Sequence, residues 1–328
     1  MESLIFAIKA VLPIVIMVAI GYILKKIKFM DAEFAKKANK LVFRIFLPSM
    51  LFLNVYNIED IGDIELGYVI YVLVALALIF CIALPCVMFV TKKNGCRGAL
   101  LQAVFRSNYA LIGIPLSGSL FGDEGIAVAT ILSAFTIPLL NILAVISLTV
   151  FSGDGEKPSF KKIMLGIIKN PLIISVLLGV LVLSVRALFA KNGITFRLSS
   201  IEPLFKVLNY LSSMATPLAL LVLGAQFEFS AVASLKKEII FGTLARTVFV
   251  PLIGIGMAYL LFRNTFGGAH FATFVAVFAT PVAVSSVPMA QEMKGDAILA
   301  GQLVVWTTLV SGFTVFLVSF LLKASGIF

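Results

Sequence analysis

The stretch Phe105-Arg106-Ser107-Asn108-Tyr109-Ala110-Leu111-Ile112-Gly113-Ile114-Pro115 decides the fold, together with its counterpart Phe278-Ala279-Thr280-Pro281-Val282-Ala283-Val284-Ser285-Ser286-Val287-Pro288. Each stretch interrupts an apolar segment with proline and with glycine or serine. Proline removes a backbone donor and clashes with the preceding turn, so a helix opens there. Unwound backbone in an apolar surrounding is tolerated only where it lines a cavity or is buried in protein. The two stretches are therefore predicted to be broken helices that meet around a site.

The composition excludes a water-soluble domain. Hydrophobic residues make up 61% of the 328 residues and charged residues 13%, and the mean hydropathy is +1.11. So little polar surface could not cover a core in water, and lipid is predicted to be the main solvent. The net charge of +10 does not indicate a nucleic-acid partner, because lysine and arginine stand mostly in short loops at the ends of apolar runs.

Ten transmembrane helices are predicted, because apolar runs of about 20 residues can cross a hydrocarbon core of roughly 30 Å. They run over residues 4–24, 38–56, 66–90, 98–119, 125–150, 170–189, 203–224, 238–262, 270–290 and 296–322. The loops 25–40, 92–97, 157–162 and 236–237 are basic and alternate with other loops, and the acidic segment 59–65 falls on the opposite side. The positive-inside rule then places the basic loops in the cytoplasm of a cell with an inner (plasma) membrane, with both termini outside.

The two broken stretches belong to an internal repeat. Pro115 precedes Gly122-Asp123 by the same spacing at which Pro288 precedes Gly295-Asp296. The same offset aligns Ala103-Val104-Phe105 with Ala276-Val277-Phe278 without a gap. Each half holds an odd number of spans, so the second half is inverted in the membrane, an arrangement that many secondary transporters use. The predicted organisation is a first five-helix repeat at 1–151, a cytoplasmic connector at 152–169 and a second repeat at 170–328.

Polar residues at the breaks are candidate substrate ligands, because half-helix N-termini offer partial positive charge and free N–H groups to a carboxylate. Arg106 either neutralises a substrate carboxylate or snorkels to the surface, and Arg246 has the same two interpretations. Asn108 either caps a half-helix or also donates to the ligand. Other polar residues, Asn54, Asn141, Gln226 and Gln291, could instead pair neighbouring helices. The predicted substrate-binding residues are Arg106, Asn108, Tyr109, Gly113, Pro115, Pro281, Ser285, Ser286, Pro288, Gln226 and Gln291.

Catalytic residues and metal sites are not predicted. The sequence contains no HExxH motif, no nucleophile with a plausible histidine partner and no paired intramembrane aspartates. Its three cysteines lack metal-binding spacing, and His270 is the only histidine. The chain is therefore not interpreted as an enzyme and no cofactor is predicted, while H⁺ and Na⁺ both stay open as the coupling ion.

Three segments resemble the auxin efflux carrier family: Asn108 to Pro115, Phe46-Leu47-Pro48-Ser49-Met50-Leu51-Phe52, and Thr216-Pro217-Leu218-Ala219-Leu220-Leu221-Val222-Leu223-Gly224. The resemblance covers essentially the whole chain, and bacterial members of the family include malate and malonate permeases. It implies ten helices in a scaffold domain and a transport domain that moves as an elevator, with the fourth and ninth helices crossing at prolines. The family's crossover residues carry over to Asn108, Gly113, Pro115, Pro281, Ser285 and Pro288. The long cytoplasmic loop of the plant auxin exporters is missing.

The leading hypothesis is a secondary active transporter of small organic anions, such as the dicarboxylate malate, with elevator-type alternating access. One alternative is an efflux carrier for indole-like or other amphipathic carboxylic acids, which predicts a pocket rich in aromatic residues. Another alternative is a membrane sensor that binds the ligand without moving it. The predicted partners are the small anion and the lipid bilayer, and a homodimer is allowed.

Overall fold

The protein is α-helical across the residues that the computed structural model describes, 2–58, 65–152, 160–193 and 195–328. The helices are α1 (Glu2–Lys26), α2 (Ala32–Leu41), α3 (Leu47–Tyr56), α4 (Leu66–Val90), α5 (Asn94–Phe105), α6 (Ile114–Val150), α7 (Phe160–Ile168), α8 (Pro171–Lys191), α9 (Glu202–Gln226), α10 (Ser230–Ser234), α11 (Lys236–Leu244), α12 (Val250–Phe262), α13 (Gly268–Phe278), α14 (Ser286–Glu292) and α15 (Ala297–Ala324). Three π-helical turns, Val42–Phe46, Tyr109–Gly113 and Ala245–Phe249, each lead directly into a following α-helix. Most of the predicted acidic loop, at 59–64, and residues 153–159 of the predicted connector lie outside the described residues.

Seven described helical stretches are long and apolar enough to span a membrane, judged by length and composition. They are Ala32–Tyr56, Leu66–Val90, Tyr109–Val150, Pro171–Ala190, Glu202–Gln226, Lys236–Phe262 and Ala297–Ala324. The prediction of an all-helical, multi-pass membrane protein is thereby confirmed at this level. The count of ten spans and the inverted relation of the two halves stay predictions.

Two of the predicted connections between spans contain helix. Helix α6 runs through the predicted gap between the fourth and fifth spans, and only Phe121 and Gly122 leave helical geometry there. Gly122 has a φ of +56°, which glycine adopts without strain, so the chain bends within two residues instead of forming a loop. The predicted connector contains α7, because Phe160, Met164 and Ile167 repeat at the spacing of a helix.

The helices pack as two bundles. The first bundle consists of α1, α2, α3, α8 and α9, whose most extensive contacts join α1 to α9 and α3 to α8 and α9. The second bundle consists of α4, α5, α6 and α11 to α15, and in it α6 packs against α5 and α13 while α14 packs against α15. Contacts of α1 with α15, and of α2 with α14, connect the two bundles. The broken helices α5–α6 and α13–α14 both lie in the second bundle.

Glycines bring α1 and α9 into backbone contact at the centre of the first bundle. A Cβ atom at Gly21 would collide with the backbone carbonyl of Leu221, and one at Gly224 would collide with the carbonyl of Val18. Small residues at a helix interface allow this close approach. In lipid, where no hydrophobic effect drives helices together, the resulting van der Waals contacts stabilise the pair.

Replacing Gly224 with alanine is expected to lower the free energy of unfolding by roughly 1–3 kcal/mol, because the helices must separate to admit the methyl group. The measurement is the thermal midpoint of the purified protein in detergent. Gly256→Ala in α12 is the matched control, since a Cβ atom there meets no atom within 4 Å. Its midpoint should be unchanged or higher, and equal midpoints for the two variants would contradict the packing argument.

Candidate functional site

The two breaks cross in the middle of the second bundle. The segment Arg106 to Asn108 lies antiparallel to the segment Pro281 to Ala283, with a single bridge between Ser107 and Val282. The Asn108 N–H donates to the Pro281 carbonyl at 2.8 Å, and the Ala283 N–H donates to the Arg106 carbonyl at 3.2 Å. Each unwound segment thus satisfies part of the backbone hydrogen bonding that the other has lost.

The prolines lie at different places in the two breaks. In the second half Pro281 is within the unwound segment, between the end of α13 and the start of α14. In the first half the unwound residues are polar, and Pro115 instead lies in the first turn of α6 after the π-helical turn. A proline therefore lies at the crossing in the second half only, whereas the resemblance to the auxin efflux carriers implied prolines at the crossing in both halves. A proline is tolerated in the first turn of a helix, where its missing N–H costs no hydrogen bond.

A cavity of about 200 Å³ lies beside the crossing, between the two bundles. Residues 106–111 and Ala283 to Ser285 form its wall on the second bundle, together with Ile137, Leu140 and Asn141 of α6. The first bundle contributes Leu47, Met50, Leu51 and Asn54 from α3, and Ala215, Thr216 and Ala219 from α9. The wall is largely apolar, with a small number of polar groups directed into it, as in many ligand sites.

Arg106 places an uncompensated charge in this cavity wall. Its side chain is buried, with 4% of its surface exposed, so it does not reach the membrane surface. One terminal nitrogen donates to Asn141 Oδ1 at 2.7 Å and the other contacts Met289 Sδ, both of them neutral groups. Across the described residues Arg106 forms no ion pair. A buried cation without an acidic partner is costly, and a charged ligand would supply the missing anion.

Two amide groups in the same wall also lack partners. The Nδ2 atoms of Asn54 and Asn108 are buried and donate no hydrogen bond within the described structure, and Asn108 is 7% exposed. Asn54 belongs to the first bundle and Asn108 to the second. Buried polar groups are nearly always hydrogen-bonded, so unpaired donors on two residues that line one cavity favour a ligand that accepts hydrogen bonds.

The predicted site residues separate into several groups. Arg106, Asn108, Tyr109 and Ser285 line the cavity, although the Tyr109 hydroxyl is already bound to the Ala129 carbonyl at 2.7 Å. Pro115 lines a separate, more apolar cavity beside α1 and α9, and Gly113 packs against Ala276 of α13. Residues of the second broken stretch away from the cavity are Pro281, Ser286 and Pro288, all buried.

Gln226 and Gln291 lie apart from the cavity, in a cluster of amides with Asn39. The Asn39 amide donates to Gln226 Oε1 at 3.0 Å and to Gln291 Oε1 at 2.6 Å, and the Gln226 amide donates to Gln291 Oε1 at 2.9 Å. Asn39 and Gln226 belong to the first bundle, and Gln291 lies on α14 of the second. This amide cluster therefore joins the two bundles at the end of α9, close to Lys25, which contacts the Phe227 carbonyl at 3.4 Å.

Sequence comparison assigns the chain to a known group of proteins. A sequence model described as "membrane transport protein" matches residues 6–157 and 156–319, nearly the entire chain. The chain belongs to the membrane transport protein family. The resemblance to the auxin efflux carriers is thereby confirmed, because this is the family that includes them.

Three relatives in the membrane transport protein family match between 76% and 92% of this chain. An uncharacterized transporter of Methanothermobacter thermautotrophicus is 25% identical over 305 residues, which are 92% of this chain and 94% of the relative. An uncharacterized transporter of Methanocaldococcus jannaschii is 27% identical over 76% of this chain and 77% of its own. The uncharacterized transporter YfdV of Escherichia coli K12 is 27% identical over 88% of this chain and 89% of its own. Membership identifies a transporter and not an enzyme.

Proposed function

We propose that the chain is a secondary active transporter of small organic anions, with malate-like dicarboxylates as the leading substrates. The observation that carries this proposal is the Arg106 guanidinium, buried in the cavity wall with only neutral partners. Arginine binds a carboxylate with two parallel hydrogen bonds, and the pair is strongest where water is excluded. The N-terminal turn that begins at Tyr109 lines the same cavity, and its partial positive charge adds to the attraction.

The opposite wall of the cavity supports a substrate with a second polar end. Asn54 and Thr216 of the first bundle line this wall, and the Asn54 amide is free to donate. A dicarboxylate could therefore place one carboxylate at Arg106 and Asn108 and the other near Asn54. Such a ligand would contact both bundles, which couples its binding to their relative position.

The size and lining of the cavity favour a small acid over an indole-like one. Its volume of about 200 Å³ is below the roughly 300–1,000 Å³ of sites that enclose drug-sized ligands. Tyr109 is the single aromatic residue among its lining residues in the described structure, and its hydroxyl is engaged. An indole-like acid predicts a pocket rich in aromatic residues, which this lining does not provide.

Alternating access would follow from a movement of the second bundle against the first. The cavity lies between the bundles, so a displacement along their interface would change the side to which it opens. The amide cluster of Asn39, Gln226 and Gln291 ties the bundles together beside the basic segment 25–40. The positive-inside rule places this segment in the cytoplasm of an inner (plasma) membrane. In this proposal the amide cluster is a contact that breaks when the site opens to the cytoplasm.

The test is counterflow of labelled malate in proteoliposomes, comparing the wild-type protein with Asn108→Ala. Vesicles loaded with unlabelled malate should take up external label transiently above its equilibrium level, since a carrier exchanges its substrate without a coupling gradient. The variant should need about 10- to 100-fold more malate for half-maximal rate, because it lacks one hydrogen bond to a charged ligand. Its fold should persist, since the Asn108 amide group has no protein acceptor in the described structure.

The matched control is Asn209→Ala, an exposed asparagine of α9 whose amide group binds its own helix, at the Phe205 carbonyl. It should transport like the wild type. Binding of malate without counterflow would indicate the sensor alternative. Counterflow of indole-like acids but not of malate would replace the leading substrate class with the amphipathic one.

A further inference from the structure

Arg246 has surroundings that differ from those of the cavity arginine. It lies in the π-helical turn Ala245–Phe249 between α11 and α12, and its side chain is completely buried. All of its described hydrogen bonds go to backbone carbonyls of the two broken helices. Nε donates to Thr280 at 2.8 Å, Nη2 to Val277 at 2.8 Å, and Nη1 to both Val104 and Phe105 at 3.2 Å.

Three of these carbonyls, those of Val104, Phe105 and Val277, belong to the last residues of α5 and α13, and the Thr280 carbonyl follows two residues after the end of α13. The last carbonyls of a helix have no partner within it, and they carry the negative end of the helix dipole. At the crossing two such ends lie close together in an interior without bulk water, so they repel each other and need donors or a cation. Backbone carbonyls at half-helix C-termini are also the ligands with which transporters coordinate Na⁺.

We propose that Arg246 is a fixed cation that holds the crossover together in place of a bound metal ion. Its planar guanidinium donates hydrogen bonds to carbonyls of both half-helices at once. A metal ion in the same place would have to coordinate these carbonyls directly. Since the carbonyls are already occupied, the crossover does not bind Na⁺ as part of the transport cycle. The consequence for flux rests on the proposed function, whereas the structural role does not.

The structural role is tested on purified protein in detergent by its thermal midpoint. Arg246→Ala is expected to lower the midpoint by about 5–10 °C, because four buried carbonyls lose their donors. Guanidinium chloride at low millimolar concentration should restore part of this loss by entering the vacated space, while the same concentration of sodium chloride should not. Arg263→Ala, at an exposed arginine whose guanidinium stands over the Tyr259 ring, is the control and should show neither loss nor rescue.

A second variant covers the case in which Arg246→Ala does not fold. Arg246→Lys keeps the charge but not the planar guanidinium. Its thermal midpoint should lie between those of the wild type and Arg246→Ala. If Arg246→Ala cannot be purified, the midpoint of Arg246→Lys should still be below that of the wild type. A wild-type midpoint in Arg246→Lys and in Arg246→Ala would overturn the proposal.

The absence of a crossover Na⁺ is tested on the wild type. Its midpoint should be equal in sodium, potassium and choline chloride, and counterflow should have the same rate when choline replaces Na⁺ on both sides of the vesicle. A specific stabilisation by Na⁺ would overturn the proposal. If no acid shows counterflow, the proposed function fails, yet the midpoints in the three salts still decide the role of Arg246.

Discussion

Arg106→Gln should abolish most transport while leaving the protein at least as stable as the wild type. Truncating one partner of a buried, hydrogen-bonded charge pair costs about 2–5 kcal/mol, so the rate at low substrate concentration should fall at least about 30-fold. The expected gain or constancy in stability has a separate cause: the guanidinium is buried with neutral partners only, and removing such a charge relieves a desolvation cost. Malate counterflow and the thermal midpoint measure the two effects.

Arg106→Lys and Arg263→Gln complete this comparison. Lysine keeps the charge but cannot form the two parallel hydrogen bonds, so Arg106→Lys should transport at an intermediate rate. Arg263→Gln removes an exposed arginine that does not line the cavity and should leave transport unchanged. A large loss of stability in Arg106→Gln, with transport retained in the molecules that remain folded, would contradict the assignment of Arg106 to the substrate.

The two buried arginines are therefore expected to respond in opposite ways. Loss of Arg246 should destabilise the fold, since its donors satisfy backbone carbonyls that have no other described partner at the crossing. Loss of Arg106 should not, since its donors meet an amide oxygen and a thioether. Groups retained at a cost in stability are typical of functional sites.

The sequence was sufficient to predict where the helices break, but not how the breaks are satisfied. Paired prolines, glycines and serines identified both stretches, because these residues weaken the helical ladder wherever they occur. The first break lies at Arg106 to Asn108, upstream of Pro115. The unwound backbone is stabilised there because it hydrogen-bonds the unwound segment Pro281 to Ala283. That partner is far away in the chain, and local sequence does not specify it.

Similar polar residues in the sequence turn out to have different surroundings. Arg106 and Arg246 both interrupt apolar spans, and only three-dimensional packing shows that one faces a cavity and the other faces helix ends. Gln226 and Gln291 were predicted to bind substrate, yet they bind Asn39 at the bundle interface. Asn54 and Asn141 were grouped with residues that pair helices, although both line the cavity. Their spacing along helices gave no indication of the bundle that each would face.

Tying the two bundles together at the amide cluster should stop transport. The test starts from a protein in which Cys81, Cys86 and Cys96 are replaced by alanine. Asn39→Cys with Gln291→Cys then introduces one thiol on each bundle, at two side chains that lie 2.6 Å apart in the wild type. A short, reducible bifunctional thiol reagent should link them and reduce malate uptake to the level of empty vesicles. Dithiothreitol should restore uptake, because it releases the bundles without altering the site.

The matched control joins two residues of the same bundle. The variant Asn39→Cys with Gln226→Cys also removes Asn39 and one glutamine of the amide cluster. The Asn39 and Gln226 side chains it replaces lie 3.0 Å apart, and both new thiols lie on the first bundle. Relative movement of the bundles predicts that this linked protein transports at the rate of its reduced form, while the linked Asn39→Cys, Gln291→Cys protein does not transport. Equal uptake by both linked proteins would contradict the account, because the anion would then cross without movement between the bundles.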